Sequence, residues 1–305
     1  MRSGSQARAP VARSRLAGAA LAGLAAALLA TGCTKSTPYR FGSGLETPLT
    51  LALRPGEAQF ERGRPVALLD AVGHYLISLP GKILLLDWQI DRHRIEAEVE
   101  DSLAAYLAEN DLPSVKVRLN QYAPGNEWSR LFRNREMPGG WRYTVGVLSV
   151  VGYTILPGRF FGGDHYNPFT NSIHLYSNRR AVALHEGGHA KDFAGRGRHW
   201  KGPWAALRIL PLVPLWQEGI ASRDAILYER ERGGSRDEKQ AYRLLYPAFG
   251  TYVGGEATRF VFSADEWIYW AVRLGAVVPG HIAGQIQAAL VEERPRPEPA
   301  PEGSP

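Results

Sequence analysis

Residues 185–189 read His-Glu-Gly-Gly-His, and few pentapeptides restrict a fold so tightly. For both imidazoles to act together, the segment must be an α-helix. Residues four apart then lie on one face, about 40° apart around the axis. Two imidazoles so placed can meet one zinc ion at about 2.0–2.1 Å each. Glu186 stands about 100° round from His185. Its longer reach suits a water beside the metal, whose proton the carboxylate can take. With eight histidines in 305 residues, a chance HExxH has a probability on the order of 1%. The preceding Ala181-Val182-Ala183-Leu184 is apolar, and no proline interrupts the motif, which predicts a buried helix. Gly187 and Gly188 together cost about 2 kcal/mol of helix propensity relative to alanine. Accepting that cost implies close approach of another backbone or of substrate.

The segment resembles the active-site helix of the zincin clan of metallopeptidases. The metzincin continuation HExxHxxGxxH is absent, because Asp192 and Gly195 occupy its Gly and last His positions. Further on, Leu215-Trp216-Gln217-Glu218-Gly219-Ile220-Ala221 resembles the Trp-x-Glu-Gly-x-Ala segment of gluzincins. In that family the glutamate, on a second helix, is the third zinc ligand. The resemblance covers roughly residues 171–232 and no other part of the chain. It implies Zn2+ held by His185, His189 and Glu218, with Glu186 as general base in the hydrolysis of a peptide or protein substrate. Two antiparallel helices would return Glu218 to the metal. Glu218 could equally be an exposed acid favoured by a helix N-terminus, and Glu256, in Gly254-Gly255-Glu256-Ala257, is an alternative third ligand. Asp192 could accept the outer N–H of a ligand histidine, or could be a solvated acid. An oxyanion stabiliser is needed for attack on an amide. His199, Tyr242, Tyr246 and Tyr252 are all available, and the sequence does not choose among them. The clan binds extended peptides along the edge strand before the active-site helix. Here that strand would carry His174 and Tyr176, whose side chains could also simply face solvent.

The N-terminus reads as an export signal. Residues 1–15 are basic and polar, residues 16–30 are apolar and uncharged, and Cys33 follows Thr31-Gly32. About 15 apolar residues are too few for a typical membrane span of ~20. Leu29-Ala30-Thr31-Gly32-Cys33 resembles a bacterial lipobox, which implies removal of residues 1–32 and lipidation of Cys33. The usual leucine three places before the cysteine is Ala30. Cys33 is the sole cysteine, so no disulfide forms within the chain. The resemblance implies a lipid-anchored envelope protein, on the periplasmic face of an outer membrane if the cell has one. The net charge of +6 owes four arginines to residues 1–32, leaving about +2 on the remainder and little reason to expect nucleic acid.

The remaining chain reads as α+β. Residues 33–59, rich in Thr, Gly and Pro, are expected to be a tether, residues 60–291 one zincin-like domain, and residues 292–305 a disordered Pro-rich tail. Residues 66–90 suggest two short helices, packed in the core or lying on a membrane. Apolar spacing predicts a helix over 91–109, alternation a strand over 115–119, and composition a short helix over 126–134. Residues 144–156 fit a buried strand or a buried helix. Residues 172–177 alternate and read as a half-exposed strand. Asn178 can cap a helix running to about 194, and residues 195–203 read as a basic loop. Helices are expected from Pro214 to about Arg232, from a Ser235/Glu238 capping box until Pro247 kinks or ends it, from a Ser263/Glu266 box to Gly275, and over 280–293. The expected architecture is a small sheet whose edge strand precedes the HExxH helix, followed by a mainly helical C-terminal half. A zinc metallopeptidase accounts best for these features. The alternatives are a non-catalytic envelope lipoprotein with a zincin fold used for binding or assembly, and a zinc hydrolase acting on a non-peptide bond.

Overall fold

The structure, a computed structural model, describes residues 37–158, 160, 163–259 and 266–297. The signal segment, Cys33 and Ser263 lie outside these residues. Strand β1 (Phe60–Arg62) precedes helices α1 (Ala67–Val72) and α2 (Leu79–Leu85), which are joined by a wide turn over Gly73–Ile77. Helix α3 (Ala97–Glu109), strand β2 (Lys116–Leu119), helix α4 (Pro124–Arg133) and helix α5 (Val147–Ile155) follow. Strands β3 (His165–Asn167) and β4 (Ser172–Leu175) lead into α6 (Arg180–Ala194), the helix of the HExxH motif. The rest is helical: α7 (Arg198–Ala206), α8 (Val213–Arg232), α9 (Ser235–Thr258), α10 (Glu266–Gly275) and α11 (Val277–Ala289). The class is α+β, as expected.

The sheet is mixed, in the order β1-β2-β4-β3, with β1, β2 and β4 parallel and β3 antiparallel to β4. Val117 pairs with Ile173 and Leu119 with Leu175, so their side chains share one face. That face packs with Leu103, Tyr106 and Leu107 of α3 and Ala183 and Leu184 of α6 to form the main core. The edge strands are therefore β1 and β3, not the strand immediately before the motif helix. β4 is an interior strand, and all four of its residues are buried. The expected half-exposed strand is overturned for a specific reason. The second face of the sheet carries Lys116, Arg118, Ser172 and His174, and α4 covers it. Buried Glu127 on α4 accepts from Arg118 at 2.6 Å and from Ser172 at 3.2 Å, and stands 3.6 Å from His174. A buried carboxylate with such partners substitutes for water, and they hold Glu127 well below the usual carboxylate range against its burial.

Residues 37–59 are no tether in their described part. Tyr39 is buried, and its hydroxyl donates to Asn110 at 2.9 Å and contacts Asp224 at 3.1 Å, while Lys191 lies over its ring. Leu51 is buried, and Glu57 pairs with Arg130 at 3.0 Å. Low hydrophobicity does not prevent docking when single aromatic and charged side chains find partners. The expected tail is also bound at its start. Arg294 donates to Glu238 at 2.5 Å, and Arg296 reaches Asp237 and Glu98, both at 2.8 Å. Residues 298–305 lie outside the described residues.

Residues 147–155 are helical, and residues 198–206 form α7 where a loop was expected. Pro247 does not end α9, which continues to Thr258. Packing sustains it, because α11 lies so close that a Cβ on Gly280 would meet the Tyr246 carbonyl oxygen at 2.6 Å. Two caps shift from their expected places. Asp237, not Glu238, closes back on the α9 start by accepting from the Gly234 N–H at 3.2 Å. Asn178 leaves α6 and accepts from the Glu96 N–H at 2.9 Å, thereby capping α3.

Candidate metal centre

The motif helix and α8 cross at the glycine pair. A Cβ added to Gly188 would lie 2.9 Å from the Ala221 carbonyl oxygen and 3.0 Å from the Ala221 Cα. One added to Gly187 would lie 2.6 Å from the ring of buried Tyr106. These contacts account for two residues that weaken a helix. Glycine lets the backbones of α6 and α8 approach, and Glu218, three residues before Ala221, thereby arrives beside the histidines.

His185, His189 and Glu218 are buried, and one potential ligand atom from each lies within 4.8 Å of the others. Glu218 Oε2 stands 3.0 Å from His185 Nε2 and 3.4 Å from His189 Nε2. Burial alone would raise the Glu218 carboxyl, but His189 and His185 pull it well below the usual carboxylate range. Burial opposes a charged His185, yet its bond to Glu218 and the nearby Glu186 charge raise it, whereas burial dominates at His189 and lowers it. An ionised carboxylate beside imidazoles with convergent Nε2 atoms is the donor set a divalent metal requires.

Neighbours fix how these donors point. Ser222 Oγ lies 3.2 Å from His185 Nδ1, so an Nδ1–H donated to it turns Nε2 inward as a ligand. Arg208 Nη2 donates to Glu218 Oε1 at 2.6 Å, leaving Oε2 for the histidines. Arg208 also donates to Gln217 at 3.1 Å, and Gln217 in turn donates to the Trp204 carbonyl at 2.7 Å. Ser222 was within reach of sequence reasoning, because it follows Glu218 by four residues and shares its face of the helix. Arg208, from the short turn after α7, left no such signal.

Glu186 is buried on the turn between the two histidines. Burial pushes its carboxyl up to about 8; Glu218 and Asp164 add to the rise, while His185 and Arg208 oppose it. Tyr252, on α9, shares a side-chain hydrogen bond with Glu218. Its ring is partly exposed, but burial of its hydroxyl and the Glu218 and Glu186 charges hold that hydroxyl well above the ordinary phenol range, so it stays protonated and can donate. Of the four oxyanion candidates, Tyr252 is the one placed beside the triad. Tyr242 accepts from Arg230 at 2.7 Å, Tyr246 packs against Tyr242, and His199 is exposed on α7.

Two expected residues lie elsewhere. Asp192 accepts from Arg196 at 2.6 Å and from Trp204 Nε1 at 2.6 Å, and so ties α6 to α7 instead of orienting a histidine. Glu256 accepts from the Leu212 N–H at 2.9 Å and pairs with Arg259 at 3.2 Å. It satisfies the start of α8 and is not part of the ligand group. Comparison with known proteins brought no match, neither to a family model, nor to a curated protein, nor to a solved structure.

Proposed function

We infer that the chain is a zinc-dependent metallopeptidase of the bacterial cell envelope, anchored to the membrane through lipidated Cys33. The observation that carries this reading is the convergence of His185, His189 and Glu218, with Glu186 on the same helix as the two histidines. When bound, the metal supplies Lewis-acid polarisation and makes water a nucleophile near neutral pH. Glu186 accepts the proton of the attacking water and passes it to the leaving amine. Tyr252 donates to the carbonyl oxygen as negative charge develops there. Arg208 and Ser222 hold Glu218 and His185 in their ligand orientations. The exposed side chains of Ile209, Leu210, Leu212 and Trp216 lie between Arg208 and Glu218 in the chain and favour an apolar residue in the substrate.

A closed structural zinc site would use four protein ligands. Asp192, one candidate for the fourth, is committed to Arg196 and Trp204, and the other, His199, is exposed. Both observations support an open, catalytic site over the purely binding alternative.

The test is metal content by elemental mass spectrometry, followed by hydrolysis of a mixed peptide library. About one zinc per chain is expected, with cleavage lost on chelation and regained on adding zinc back. Folded, metal-replete protein that holds no zinc would overturn the reading. Tyr252→Phe should keep the metal and lower kcat by about 100-fold, as for loss of one oxyanion donor. An unchanged kcat would remove Tyr252 from the chemistry.

A further inference from the structure

Residues 66–88 are amphipathic in the reverse sense. Their polar groups turn toward the protein. Lys82 is buried and donates to the Ile90 carbonyl; Ser78 is buried and donates to the His74 carbonyl at 2.8 Å. Asp70 accepts from the Val66 N–H at 2.9 Å and from Asn120 at 3.3 Å, and Asp87 accepts from Arg179 at 2.6 Å. Their apolar groups turn outward. Leu68, Tyr75, Leu76, Ile83, Leu86 and Trp88 are each more than half exposed, with Leu68 at 74% and Leu86 at 78%. A surface helix in water shows the opposite arrangement. Nor does this apolar surface end with α2. His281 Nε2 meets the Leu84 carbonyl at 2.8 Å, which seats α11 beside α2. On α11, Val278, Ile282 and Ile286 repeat every four residues, each more than half exposed. Exposed apolar side chains in such number on neighbouring elements mark an interaction site.

Several features favour lipid as the occupant. Among the described residues no single helix is long and apolar enough to cross a membrane, but Ala67–Ile77 with Leu79–Leu85, bent by 49°, reaches that length and hydropathy as a pair. Such a bent pair suits shallow insertion in one leaflet. Tyr75 and Trp88 have the amphipathic rings that settle at the headgroup level. Arg94, exposed, stands just after the stretch and complements lipid phosphates. Residues 33–36 can span at most about 14 Å, so a lipid on Cys33 would hold the domain against the bilayer, not above it.

We propose that residues 66–88 and the outer face of α11 insert into one leaflet of a phospholipid bilayer. The contact is monotopic, reaching the boundary between headgroups and acyl chains, and it is independent of any metal at the HExxH helix.

The test uses the full chain with Cys33→Ser, which removes the only native thiol. A polarity-sensitive thiol fluorophore is placed through Leu76→Cys, Leu86→Cys or, as a control on exposed polar surface, Glu231→Cys. Vesicles of phosphatidylethanolamine and phosphatidylglycerol are prepared with and without a nitroxide on the acyl chain. At positions 76 and 86 emission should move to the blue and fall at least about twofold with the nitroxide lipid, as insertion to the acyl boundary requires; at position 231 it should do neither. Solvent-like emission at 76 and 86 overturns the proposal. A blue shift without nitroxide quenching also overturns it, and assigns the surface to a second copy of the chain or to residues 16–30. Leu76→Asp, which charges an exposed position without touching the core, should reduce the quenching at position 86 at least about twofold. Undiminished quenching there would show that this face does not hold the bilayer.

Discussion

Glu186→Gln should bind one metal ion as the native chain does and lose peptide hydrolysis by at least about 1,000-fold, within the range for removing a general acid–base group. The separation of binding from chemistry follows from geometry. The ligand atoms belong to His185, His189 and Glu218, and none belongs to residue 186. Glutamine keeps the volume of glutamate and its capacity for hydrogen bonds, but it cannot take a proton from water. The substitution leaves no unpaired charge at a buried position, so the fold should tolerate it. Equilibrium metal titration and steady-state hydrolysis on the same preparation check both halves. Full activity with metal retained would eliminate Glu186 as the base; metal lost with activity would make residue 186 part of the binding group.

The site was more legible than the fold, for identifiable reasons. The spacing of His185 and His189 fixes a helix face before any tertiary structure is known. The glycine pair signalled close approach, and the Ala221 backbone and the Tyr106 ring are what approach. Glu218 was reachable only through family resemblance, since the 28 residues between it and His189 carry no local pattern. Arg208 could not be found, because its role arises from a turn that folds back on α8. Among strands the failure was one of interpretation. The alternation in Ser172–Leu175 correctly separated two faces, but alternation reports a difference in chemistry, not access to water. Glu127, 45 residues earlier, neutralises the polar face. The expected tether failed in a related way, because composition averages away Tyr39, the residue that fastens the segment. Pro247 shows the limit of a local rule, since α9 continues through it where α11 packs alongside.

Two alanine substitutions separate the carboxylates that the sequence left in competition. Glu218→Ala should weaken zinc binding by at least about 100-fold, more than the 10–100-fold typical of losing a group that only orients a ligand. It removes the sole carboxylate among the three converging donors and the acceptor of the 2.6 Å bond from Arg208. Glu256→Ala should leave zinc affinity unchanged, because Glu256 accepts from the Leu212 N–H and lies outside the ligand group. Its cost falls on stability instead. Leu212 has a left-handed backbone at the start of α8, and losing the acceptor for its N–H costs about 1 kcal/mol, comparable to loss of a helix cap. Thermal unfolding of the metal-depleted chains reads that cost apart from affinity. The converse pattern, with zinc lost in Glu256→Ala and kept in Glu218→Ala, would mean that α8 and α9 exchange roles around the histidines, and the Arg208–Glu218 pair would then be a structural ion pair with no part in metal binding.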